Sequence, residues 1–193
     1  MRWTVFLVAV LVAAAIDTGF GRILEFGGVQ PHVLPSIVVF TLFAIPRRLA
    51  LRAAVVAGLV ADLLAPVVLS DGTILVLPGP RVLGFAFGAL ALLQLRSLLY
   101  RQNPLAGAFA TFVFGAAVAV TYGFAWSLRA LLFGTSAPWW PSSGASASLH
   151  GLLVALADGA LSIPLLWFLQ RTRPIWGFVS NTRVTTGLAR EGT

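Results

Sequence analysis

Two aspartates set in otherwise apolar stretches have the clearest capacity for chemistry. Asp62 lies in Leu49–Pro66, LALRAAVVAGLVADLLAP, and Asp158 lies in Leu152–Leu166, LLVALADGALSIPLL. Two carboxylates sharing one proton form an aspartyl-protease dyad, and a carboxylate in hydrocarbon also serves in ion relays. Intramembrane aspartyl proteases usually carry a GxGD-type signature. Here Gly58-Leu59-Val60-Ala61 precedes Asp62, without glycine two positions before the acid, and Leu156-Ala157 precedes Asp158. Cysteine is absent, and His32 and His150 are the only two histidines. That leaves no thiol nucleophile and no metal-ligand spacing. The expectation is therefore no enzyme, no cofactor and no metal. Each aspartate is read as satisfied inside the protein by backbone groups, a hydroxyl, or an arginine such as Arg81 or Arg129.

The elements that must position these acids read as helices. On a helix Ala50, Ala54, Gly58 and Asp62 fall four apart and share one face. Small residues let a neighbouring helix approach closely in lipid. Gly84 and Gly88 repeat the spacing further on. Asp62 follows Arg52 by ten residues, roughly 15 Å along a helix, which places it near the middle of a bilayer core about 30 Å thick. Pro66 removes the hydrogen bond that the Asp62 carbonyl would otherwise accept.

Composition points to lipid as the solvent. The 193 residues are 59% hydrophobic and only 10% charged, and the mean hydropathy is +0.94. A soluble domain carries about 25% charged residues. The predicted fold is an all-α integral membrane protein, about six transmembrane helices in one bundle over residues 1–170. The expected spans are 3–20, 28–45, 49–69, 81–99, 105–133 and 149–169, with a polar cytoplasmic tail at 171–193. Ala13-Ala14-Ala15 resembles a signal-peptidase site, but the first apolar run is longer than a usual signal core and reads as an uncleaved span. Within the second span only Val33–Ile45 is strongly apolar, short enough for a re-entrant piece. TILVLPGP after Gly72 reads as a loop or partial helix at the membrane face, and no strand is expected. Thr135–Ser148, with Trp139-Trp140, reads as an outer loop at headgroup level.

Arginine sets the orientation. All 13 basic residues are arginine, against 6 acids. With the N-terminus in the cytoplasm, alternation through six spans puts ten inside: Arg2, Arg47, Arg48, Arg52, Arg96, Arg101, Arg171, Arg173, Arg183 and Arg190. Three remain outside: Arg22, Arg81 and Arg129. This is a positive-inside pattern with both ends in the cytoplasm. No basic stripe with interleaved aromatics is present, so nucleic acid is not an expected partner. Membrane lipid is.

The run Ala57-Gly58-Leu59-Val60-Ala61-Asp62-Leu63-Leu64, then Gly72, then Leu83-Gly84-Phe85 with Gly88, resembles the rod shape-determining MreD family. That family shows a G-(F/L)-x-x-G-L-x-x-D-L-L core in its third span. Ala157-Asp158-Gly159-Ala160-Leu161-Ser162-Ile163-Pro164-Leu165-Leu166 is similar to the family's last helix, often N-x-L-x-x-P-L-L. In the second span the family opens with Pro-Asp-Leu, and this chain reads Leu34-Pro35-Ser36.

The resemblance implies a fold similar to the S components of energy-coupling-factor transporters. It also implies a non-enzymatic scaffold of the cell-elongation machinery in the bacterial inner membrane. Such a scaffold binds MreC, and through it MreB and the complex of RodA with a class B penicillin-binding protein. The residues expected to carry structure and partner binding are Asp62, Gly58, Ala54, Gly84, Gly88 and Asp158. The alternative is a substrate-capture S component of a vitamin transporter, which needs convergent polar groups on the outer side, from His32, Asp71, Thr73, Arg81 or the 135–148 loop.

Overall fold

The computed structural model describes residues 2–68, 72, 74–96, 103–134 and 144–178. It is mostly helical, with six α-helices: α1 Trp3–Gly19, α2 Leu34–Ala44, α3 Arg47–Leu64, α4 Pro80–Leu95, α5 Pro104–Phe133 and α6 Gly144–Arg171. Two are long and apolar enough to cross a membrane, over Leu105–Phe133 and Ser146–Arg171.

The bundle is built around α2. Leu34 through Leu42 are all buried, the pattern of a helix apolar on every side. It packs against each of the other five helices, and no other described helix does so. At 11 residues it is roughly 16 Å long, about half a bilayer core. Proline punctuates both ends. Pro35 sits in the first turn, where a missing N–H is tolerated. Ile45, ahead of Pro46, is extended at φ −116°, ψ 163°, as steric pressure from the next ring requires.

Around α2 the others pack as neighbours in the order α1, α3, α4, α5, α6. Small residues set the approach distances. A Cβ on Gly58 of α3 would lie 2.8 Å from the Val82 Cα of α4. On Gly84 it would meet the Val118 carbonyl oxygen of α5 at 3.2 Å, and on Gly88 the Phe114 ring at 2.8 Å. Ala50 and Ala54 are fully buried. The four-spaced small faces are thus occupied by helix contacts inside this chain.

Several boundaries differ from the sequence reading. α3 stops at Leu64 rather than running to 69, because Ala65 precedes Pro66 and leaves the helix at φ −120°, ψ 84°. A short antiparallel pair follows, β1 Val67–Val68 with β2 Ile74–Leu75, where no strand was expected. Four residues cannot outweigh a helical fold, but their pairing satisfies backbone groups between two prolines. α6 begins at Gly144, so the last part of the predicted 135–148 loop is helical. The tail also starts later than expected: Arg173–Trp176 forms a 3-10 turn that packs on α1 and α6, and Trp176 is buried. Trp139-Trp140, Tyr100, Asp71, Thr73, Arg101, Arg183 and Arg190 lie outside the described residues.

The bundle has two chemically distinct ends. At one end the Arg2 N–H donates to the Trp176 carbonyl at 3.0 Å. There too, Arg96 donates to the carbonyls of Phe43 and Ile45, at 2.8 Å each. These bonds gather the start of α1, the end of α2, the end of α4 and the turn after α6, and with them most of the described arginines. Away from that end lie the aspartates, Asp17 and Asp62 in the last turns of α1 and α3 and Asp158 midway along α6.

Candidate functional site

The described aspartates all do one thing: each accepts backbone N–H groups at or beside the start of a neighbouring helix. A helix start leaves several N–H groups without partners and carries partial positive charge. A carboxylate from another helix answers both needs.

Asp62, in the last turn of α3, reaches the start of α4. It accepts from Gly79 N at 2.7 Å, Arg81 N at 3.1 Å and Val82 N at 3.2 Å. Gly79 makes this geometry available, since its φ of 145° is a conformation L side chains rarely adopt. Pro80 then opens α4. The Arg81 guanidinium turns back to the Ala61 carbonyl at 2.8 Å. Asp62 is only 5% exposed. Because α3 ends two residues later, the acid sits at a helix terminus, not midway along a span.

Asp17 and Asp158 converge on the start of α2. Asp17, on α1, accepts from Val33 N at 2.7 Å and Leu34 N at 3.1 Å. Asp158, midway along α6, accepts from His32 N at 2.6 Å, and the His32 imidazole Nδ1 lies 3.5 Å from the same oxygen. Three successive N–H groups are shared between two helices. Gln30 adds a bond from its side-chain amide to the Asp17 carbonyl at 2.8 Å.

The far end of α2 carries the opposite charge. Arg96 donates to two carbonyls there, and Arg47 donates to the Leu93 carbonyl at 3.4 Å. Anions at the start and a cation at the end both suit the macrodipole of α2.

His32 lies ahead of α2, with its side chain 39% exposed.

The structure thus places Asp62 against Gly58's neighbour α4, beside Arg81 and Val82. Asp158 is in a separate cluster with Asp17 and His32. Asp62 and Asp158 each hold a different helix start. Ala54, Gly58, Gly84 and Gly88 line contacts between helices. Sequence reasoning did not single out Asp17, which falls inside the expected span 3–20, and used Arg96 only as a topology signal. Asp17 lies in the last turn of an apolar helix and could have been read by the logic applied to Asp62. No family model, curated protein or solved structure matches the chain.

Proposed function

We propose that this chain is a non-enzymatic membrane scaffold of the cell-elongation machinery. It crosses the inner membrane six times with both ends in the cytoplasm and binds an MreC-type partner. Through that partner it couples to MreB and to the RodA/class B penicillin-binding-protein synthase. The family likeness around Asp62 and Asp158 supplies the partner.

The observation that carries the scaffold reading is the employment of the carboxylates. Asp17, Asp62 and Asp158 are each engaged by backbone N–H groups, which suits rigid joints better than proton transfer. The same bonds make a six-span path workable. Segment 29–33 is half-buried and not helical. Irregular backbone at membrane depth is tolerated where protein satisfies its polar groups, and Asp17 and Asp158 do so here.

A groove near the aspartate end, about 330 Å³, is lined by Leu24, Phe26, Val29, Pro31, Leu153, Leu156, Ala157 and Ala160. Its apolar wall favours the scaffold over a vitamin-capture subunit, whose ligand needs placed polar groups.

Co-purification tests the reading. Tagged wild-type chain is expected to retain the MreC-type partner. Asp62→Leu should lose most of it, and Asp62→Asn, still able to accept hydrogen bonds, should lose less. Retention unchanged by Asp62→Leu would remove the scaffold role assigned to this acid. A bound vitamin or a shared ATPase module would favour the capture subunit instead.

A further inference from the structure

The ring of helices around α2 does not close tightly, since the backbones of α1 and α6 do not approach each other within 8 Å. At the arginine end this gap is crossed by the 3-10 turn Arg173–Trp176, which packs on both helices. Trp176 is buried there, edge-on to Phe40 at 5.2 Å between ring centroids. Three arginines gather at this place. Arg2 is tied by its backbone to Trp176, and its side chain lies against Gly177. Arg171 ends α6 with its guanidinium 3.9 Å from the centroid of the Trp167 ring. Arg173 opens the turn itself.

All three arginines are exposed, and no carboxylate partners them among the described residues. The described acids are elsewhere: Asp17 and Asp62 at the far ends of α1 and α3, Asp158 midway along α6, and Glu25 in the connection beyond the far end of α1. Exposed Trp3 and Trp167 flank the arginines, and above them Leu7, Val8 and Leu11 of α1 and Ile163 and Phe168 of α6 are also exposed. The patch is therefore cationic at its foot, aromatic at its rim and apolar above. Guanidinium groups match phosphate oxygens in a planar fork. Arg171, held on an aromatic face, keeps its fork partly oriented.

We infer that this gap is a binding site for an anionic phospholipid of the cytoplasmic leaflet. The phosphate sits on Arg2, Arg171 and Arg173, and the acyl chains lie along the uncovered faces of α1 and α6. The inference rests on the membrane-embedded, N-inside part of the reading above, and not on the identity of the protein partner.

The test uses the full chain, purified in mild detergent, stripped of lipid and titrated with phosphatidylglycerol or phosphatidylcholine. Bound lipid is counted by native mass spectrometry. Phosphatidylglycerol should bind about tenfold more tightly or better. Replacing Arg2, Arg171 and Arg173 together by Gln should weaken it by roughly fivefold per arginine, near the surface-charge increment of about 1 kcal/mol each. Arg48→Gln with Arg52→Gln, elsewhere on the same end, should leave it unchanged. Inorganic phosphate should not compete, which separates a lipid headgroup from a free anion. A thermal midpoint of the lipid-free triple variant close to wild type shows that folding is intact. Should that variant unfold, Arg171→Gln alone must still weaken binding. Equal binding of the two lipids, or an equal loss in the Arg48/Arg52 variant, overturns the site. A chain that stays soluble without detergent overturns the membrane reading beneath it.

Discussion

Asp17 and Asp158 sit on helices whose backbones do not approach within 8 Å, yet they bind adjacent N–H groups of one backbone. Asp17 takes Val33 and Leu34, and Asp158 takes His32. The start of α2 is therefore the joint between α1 and α6 at this end of the bundle. At the other end of α2, Arg96 ties α4 to the carbonyls of Phe43 and Ile45. A short helix with no solvent-facing side is held by charge at both termini.

Asp62 makes the analogous joint between α3 and α4. Removing it leaves three N–H groups without their acceptor in a mostly buried place. Asp62→Leu should cost about 3 kcal/mol, from lost capping and unpaired donors. Asp62→Asn keeps an acceptor but loses the charge, and should cost about 1 kcal/mol. Unfolding in mixed detergent micelles measures both.

Glycine positions separate close contacts from idle ones. A Cβ at Gly58 would meet backbone atoms of Val82 and Arg81 at 2.8 and 3.0 Å, whereas one at Gly123 would meet nothing within 4 Å. Gly58→Ala should push α3 from α4 and destabilise by about 1–3 kcal/mol. Gly123→Ala should be neutral, or stabilising by up to about 1 kcal/mol through helix propensity. The same unfolding assay distinguishes them.

Arg96 is a fork with two acceptors on one helix end. Arg96→Lys keeps the charge but replaces a planar donor set by a point charge, and should cost about 1–2 kcal/mol. If stability followed charge alone, lysine would serve as well as arginine and the thermal midpoint would not move.

The amino-acid sequence made the helical class, the small-residue faces and the burial of Asp62 legible, because each rests on local spacing. The role of α2 was not legible. The expected span 28–45 is helical only over Leu34–Ala44, and nothing in Val33–Ile45 states that it contacts five helices. Asp17 escaped notice because it falls in the last turn of the first apolar run, close to the polar residues that follow it. The helix termini near Pro46 and Pro66 follow steric rules visible in the chain. The end of α3 was nevertheless placed too late, because Val67-Val68-Leu69 continues the apolar run after the helix has stopped. Gly58, Gly84 and Gly88, expected to serve partner binding, instead face neighbouring helices of the same chain.

A double-mutant cycle on Asp17 and Asp158 tests the central claim most directly. Unfolding free energies are measured for wild type, Asp17→Asn, Asp158→Asn and the double variant. If the two acids jointly hold the start of α2, the double variant should depart from additivity by about 1 kcal/mol or more. Additivity within about 0.5 kcal/mol, with each single change nearly silent, would contradict the account that carboxylates at helix starts hold this bundle together.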